Sequence, residues 1–62
     1  MKKLKAYMER NNLSAVDFAR KIRKPAPSLY AWMRGAATPS IKTAIKIEKA
    51  TSGEVTVYDW CQ

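Results

Sequence analysis

The chain has no histidine and a single cysteine, Cys61. One thiol cannot close an internal disulfide, and without histidine partners it cannot build a structural zinc site. No segment approaches the ~20 apolar residues that span a bilayer. Met1-Lys2-Lys3 is not followed by an apolar run either, so a soluble, cytoplasmic chain is expected. No nucleophile–base pair and no metal cluster can be assembled, and a chain of 62 residues rarely encloses a cleft of converging polar groups. An enzyme, a cofactor and a small-molecule substrate are therefore not expected. Repeats, low-complexity segments and linkers are also missing, which leaves one domain over residues 1–62. A domain this size buries only ~60% of its unfolded surface, so its core is thin.

Acid is missing where it matters most. Between Asp17 and Glu48 stand seven basic residues (Arg20, Lys21, Arg23, Lys24, Arg34, Lys42 and Lys46) and no Asp or Glu. Residues 1–17 carry +2, residues 18–47 carry +7 and residues 48–62 carry −2. A basic run alone is ordinarily a solvated face. Here it coincides with a helix–turn–helix pattern, so charge and geometry point together to a polyanion with a groove one helix wide: double-stranded DNA.

Helix 1 is expected over about residues 2–11, with Leu4, Tyr7 and Met8 on one side and Asn11-Asn12 at its exit. Ser14 reads as the N-cap of helix 2, Asp17 completes a capping box, and Leu13 can meet Phe18 as a hydrophobic staple. The body of helix 2 runs to about Ile22. Helix 3 covers about 26–34 and stops at Gly35; Pro27 leaves open whether Ala26 or Pro27 is its first residue. Thr38-Pro39 reads as an N-cap followed by proline, opening helix 4 over about 39–51. Ile41, Ala44 and Ile45 are expected on its buried face, with Glu48 near the middle of that face as a rim residue paired with an arginine. Ser52-Gly53 closes it. In the tail, Val55 to Trp60 alternates like a strand, yet Thr56 and Asp59 form a second capping box. With no strand to pair with, a short fifth helix is expected.

The stretch Ala15–Arg34, AVDFARKIRKPAPSLYAWMR, puts Phe18, Ala19 and Ile22 on one side of helix 2, and Leu29 and Trp32 on one side of helix 3. It resembles the helix–turn–helix of the lambda-repressor/Cro superfamily, in particular small phage Cro-type and YdaS-like regulators. The resemblance covers nearly the whole chain. Leu4 and Tyr7, LSAVDFA, LYAWMRG, TPS and IEKATSGEV all match in order. It implies an all-α, compact five-helix lambda-repressor-like domain with the motif at helices 2 and 3. Two positions depart from the pattern: Arg23 stands where the turn usually has glycine, and Lys24 where it has an apolar residue. A left-handed Arg23 costs roughly a kcal/mol relative to glycine, so the turn either takes another shape or holds that strain.

In that superfamily the second helix of the motif lies in the major groove. The resemblance therefore assigns the outward face of helix 3 to base reading: Pro27, Tyr30, Ala31 and Arg34, with Ala26 and Ser28 at its flanks. Arg34 can donate two bonds to guanine, Tyr30 can bond a base edge or pack on a thymine methyl, and Pro27 and Ala31 offer apolar surface. Ser28 can serve a base or cap the helix. Trp32 and Trp60 are expected in the core. Phosphate anchoring is expected from open amides at Ala15 and Val16 and near Thr38 and Ser40, joined by Arg23, Lys24 and Lys42.

The expected function is a sequence-specific transcriptional regulator, a Cro-like phage or prophage repressor that acts by operator occupancy on the bacterial nucleoid. One recognition helix reads too few base pairs to select an operator, so a weak homodimer completed on an inverted repeat is expected. Val55, Val57 and Tyr58 are its candidate dimerisation residues. The alternative is a protein-interaction module of toxin–antitoxin type that keeps the fold.

Overall fold

A computed structural model describes residues 1–60 of the chain. Four α-helices follow in order: α1 (Lys2–Arg10), α2 (Ala15–Lys21), α3 (Ala26–Met33) and α4 (Ile41–Ala50). A 3₁₀ turn over Val57–Trp60 stands where the fifth helix was expected, and no strand occurs among the described residues.

All four helices stop in the same way. The residue after each C-cap turns left-handed: Asn12 at φ 55°, Arg23 at 58°, Gly35 at 80° and Ser52 at 55°. The next amide then reaches back to the last full turn. Leu13 N–H donates to Met8 O at 2.8 Å, Lys24 to Ala19 at 2.9 Å, Ala36 to Ala31 at 2.9 Å and Gly53 to Glu48 at 2.8 Å. Carbonyls that a helix end leaves orphaned are thereby satisfied by backbone amides, to which the Asn11 and Thr51 side chains add bonds at Tyr7 O and Ile47 O.

The helix starts are less uniform. Ser14 accepts the Asp17 N–H at 3.1 Å and Asp17 accepts the Ser14 N–H at 3.2 Å, the reciprocal box expected for α2. Those bonds hold the Asp17 carboxyl below its ordinary range, the Ser14 hydrogen bonds being the main cause. In α3 the first helical residue is Ala26 and Pro25 is the N-cap, with no side chain capping, so Ser28 is not a cap. The start of α4 differs from the expectation. Ser40, not Thr38, caps it, its Oγ accepting from Thr43 N–H at 3.3 Å and donating to Thr43 Oγ1 at 3.1 Å. A serine two residues further on can reach the third amide of the helix, and Pro39 is left outside the helix and buried.

Leu4, Met8, Phe18, Ala19, Ile22, Leu29, Ile47 and Val55 form one buried cluster, and Tyr7, Leu13, Trp32 and Trp60 pack partly buried around it. The tryptophans thus edge the core rather than fill it. Tyr7 meets Phe18 edge-on at 6.1 Å and 72°, and its hydroxyl donates to Ala50 O at 3.0 Å, tying α1 to the end of α4.

The inward face of α4 is not the expected one. Thr43, Ala44 and Ile47 are buried, whereas Ile41 is 71% and Ile45 41% exposed. The two buried threonines, Thr43 and Thr51, can turn inward because their hydroxyls are satisfied. Thr51 Oγ1, for example, donates to Ile47 O at 2.9 Å and accepts from Val55 N–H at 3.1 Å. Among the described residues Glu48 pairs with no arginine; its Oε1 accepts the Val57 N–H at 2.9 Å and pins the 3₁₀ turn to α4. At that turn Thr56 N–H and Oγ both donate to Asp59 Oδ2, at 2.8 and 3.2 Å. The return bond is Asp59 N–H to Thr56 O, so only half of the expected box forms. Lys3 Nζ donates to Asp59 Oδ1 at 2.9 Å and, with Thr56, depresses the Asp59 carboxyl.

Candidate nucleic-acid interface

The α2–α3 corner keeps its left-handed shape with arginine in it. Arg23 N–H donates to Arg20 O at 3.1 Å and Lys24 N–H to Ala19 O, so the backbone does here what glycine ordinarily permits. The exposed Arg23 side chain is thrown clear of the core while Ile22 beside it is fully packed. Lys24 is half-buried, and α3 begins two residues later.

Leu29 is completely buried on α3 and Trp32 and Met33 are partly so, which fixes the opposite face outward. Pro27, Tyr30 and Arg34 are exposed, Tyr30 by 50%, and Ala26, Ser28 and Ala31 are half-buried. Of the six expected base-reading residues, Pro27, Tyr30 and Arg34 thus lie outward, Ala31 and Ser28 lie at the margin, and Ala26 packs against the core. Arg34 occupies its C-terminal end, as the C-cap, with its own N–H donating to Tyr30 O at 3.1 Å. Pro25 and Pro27 carry no amide hydrogen, so α3 offers few backbone donors at its start.

The expected phosphate anchors are distributed unevenly. At α2 the Ala15 and Val16 amides remain open, because the Ser14 side chain takes only Asp17. The Asp17 carboxylate caps that same end, and Glu9 and Asp17 together line a shallow depression beside it. An anion there meets negative charge. At α4 the cap has moved, and the open helical amides are those of Ile41 and Lys42 rather than any at Thr38; Ser40 itself is the cap. Lys42 is exposed on the first turn, where cation and helix N-terminus face the same way.

Two of the acids are occupied elsewhere. Glu54 pairs with Arg10, raising the affinity of that guanidinium for its proton, and Asp59 pairs with Lys3. No ion pair among the described residues involves Arg20, Lys21, Arg23, Lys24, Arg34, Lys42 or Lys46. Apart from the pull of Asp17 on Arg20 at its edge, the basic block thus keeps its field, the condition for attracting a polyanion.

Of the candidate dimerisation residues, Tyr58 is 83% exposed and Val57 half-buried, but Val55 is 0% exposed. Val55 closes the core beneath the tail and offers no surface. The exposed Ile41 and Ile45 were missed because periodicity alone assigns isoleucines to the inside; only the displaced start of α4 and the satisfied threonines turn them out.

No helix among the described residues is long and apolar enough to cross a membrane. Neither the curated proteins nor the solved structures provide a match. A helix-turn-helix family model matches residues 4–56, from the first core leucine of α1 to the threonine that opens the 3₁₀ turn. The chain belongs to the lambda-repressor/Cro-type helix-turn-helix family of DNA-binding transcriptional regulators.

Proposed function

We propose that the chain is a Cro-like repressor of phage or prophage type that silences a promoter by covering its operator as a dimer. The observation that carries this reading is the outward α3 face of Pro27, Tyr30, Ala31 and Arg34, set in a basic block whose cations form no ion pairs among the described residues. Pro27 and Ala31 face thymine methyls, Tyr30 a base edge and Arg34 a guanine, with Ala26 and Ser28 at the flanks. Arg23, Lys24, Lys42 and the α4 amides grip phosphates; Ala15 and Val16 take a weaker part because Asp17 shares their helix end.

Two protomers occupy half-sites ~34 Å apart on one face of an inverted repeat. Their contact is apolar and small. Ile41, Ile45 and Glu48 follow one another at i, i+4 and i+7 on α4, and Glu48 meets the 3₁₀ turn, so one surface row leads from the isoleucines to Val57 and Tyr58. Such a row is too short for a tight dimer, and assembly completes on DNA in the cytoplasm, at the nucleoid. The same row also favours a second reading, a partner protein of toxin–antitoxin type.

Selection of sites from random DNA, followed by the Arg34→Ala variant, tests the proposal. Loss of Arg34 costs about 1–3 kcal/mol on the selected site and leaves random DNA almost unchanged. An equal loss on both makes Arg34 a phosphate contact, and failure to select any site leaves the partner-protein reading.

A further inference from the structure

The surface of α4 divides into three rows. Thr43, Ala44 and Ile47 face the core, and Ile41 and Ile45 form an apolar row that ends at Glu48. The third row is wholly cationic: Lys42, Lys46 and Lys49, at i, i+4 and i+7 and all exposed. It starts on the first turn, beside the open amides, and rises about 10 Å along the helix. At its far end it enters an open groove of about 490 Å³, lined by Lys21, Arg23, Lys46 and Lys49 over a floor of Ile22 and Ala50.

The groove is a built feature. Tyr7 holds its two walls together, donating from its hydroxyl to Ala50 O at 3.0 Å and accepting from Lys21 Nζ at 3.5 Å. Lys21 also stands 6.0 Å over the Tyr7 ring, and the left-handed corner fixes where Arg23 leaves the backbone. None of the five acids of the chain lines the groove. Compensation of helix dipoles accounts for Lys21 and Lys49, which lie in last turns, but not for Lys42, which lies in a first turn where the dipole repels a cation.

We infer that this row and groove form a track for the phosphodiester backbone of DNA flanking the operator, continuous with the α4 anchor and leading the duplex off the recognition face around the domain. The inference rests on the DNA-binding reading and adds a second contact region to it. Flanking DNA follows the track only by bending toward the protein, so sequences that bend easily beside the operator bind better without being read.

The test compares two duplexes carrying one selected site, the first ending at the site and the second extended by ~10 base pairs on each side. The wild-type chain gains affinity on the longer duplex, and its log–log salt slope steepens by about 1.8 per protomer, ~0.9 for each of two added phosphates. Lys46→Ala/Lys49→Ala abolishes that increment and its change of salt slope, keeps base preference on the short duplex, and loses less affinity there than on the long one. No increment with the wild-type chain overturns the inference, as does an equal loss by the variant on both duplexes; the former is also the result if the groove serves an acidic protein. Failure of the DNA-binding reading shows separately, as the absence of salt-dependent binding to the short duplex by the wild-type chain.

Discussion

Replacing Arg23 by glycine should make the protein more stable while making it a poorer DNA binder. At φ 58° an L-residue holds its Cβ too close to the following carbonyl, which costs roughly 1–2 kcal/mol. Glycine escapes that cost but gives up about 0.5–1 kcal/mol in chain entropy on folding. The net gain is about 0.5–1 kcal/mol, which for a domain of this size raises the melting temperature by roughly 4–8 °C. Arg23 also shares its groove with Lys21, Lys46 and Lys49, so removing its charge relieves repulsion as well. Arg23→Ala separates the two effects, because alanine loses the charge but keeps the strained corner. Thermal unfolding followed by far-ultraviolet circular dichroism in high salt, where surface repulsion is screened, should place Arg23→Ala at the wild-type midpoint and Arg23→Gly above both. Equal midpoints for the glycine and alanine variants would refute the left-handed corner. In DNA binding the two variants should weaken equally, since both lose the same cation.

Ser14→Ala should cost about 1 kcal/mol by freeing the Asp17 amide, and should raise the Asp17 titration part of the way toward its ordinary range, the Ser14 N–H bond and the Arg20 charge remaining, readable by NMR. Asp17 and Asp59 titrate below their unfolded value of about 3.9, so their stabilisation is complete above that value and fades as pH falls through the lower folded values. Urea midpoints measured down the acid limb should decline in that window, and for Ser14→Ala the decline should be shallower. Sedimentation with an inverted-repeat duplex should find two protomers per DNA for the wild-type chain; Ile45→Asp should leave the monomer folded, since Ile45 is 41% exposed, and remove the second protomer's cooperative binding. Unchanged cooperativity would move the dimer contact off the α4 row.

What was legible in the chain followed from local chemistry. Ser14 with Asp17, Gly35 and the Phe18–Ala19–Ile22 and Leu29 pattern signal their helix boundaries and faces through short-range hydrogen bonding and period, and the structure agrees with each. The misreadings came where two local signals competed or where the answer depended on distant partners. Thr38-Pro39 and Ser40 are both good helix openings, and only the packing of Pro39 decides for Ser40. Ile41 and Ile45 look like core by hydrophobicity, but Thr43 and Thr51 are closer to the cluster and have partners for their hydroxyls. Val55 reads as apolar dimerisation surface until Thr51 takes its amide and draws it inside, where it closes the core. The exposed side of α3 was correctly inferred from its buried side, whereas the groove joins Arg23 to Lys46 and Lys49 across more than twenty positions. Its half on α4 has Lys42, Lys46 and Lys49 at helical spacing, but a basic block bounded at Glu48 leaves Lys49 out.

The central claim is that the unpaired basic surface binds duplex DNA, and the salt dependence of binding to a selected inverted repeat tests it most directly. A dimer that contacts ~6 phosphates gives a log–log slope near −5, at ~0.9 per phosphate released from its counterions. A slope near zero over the same range of salt would contradict it, because a surface this rich in cations cannot hold DNA without displacing them.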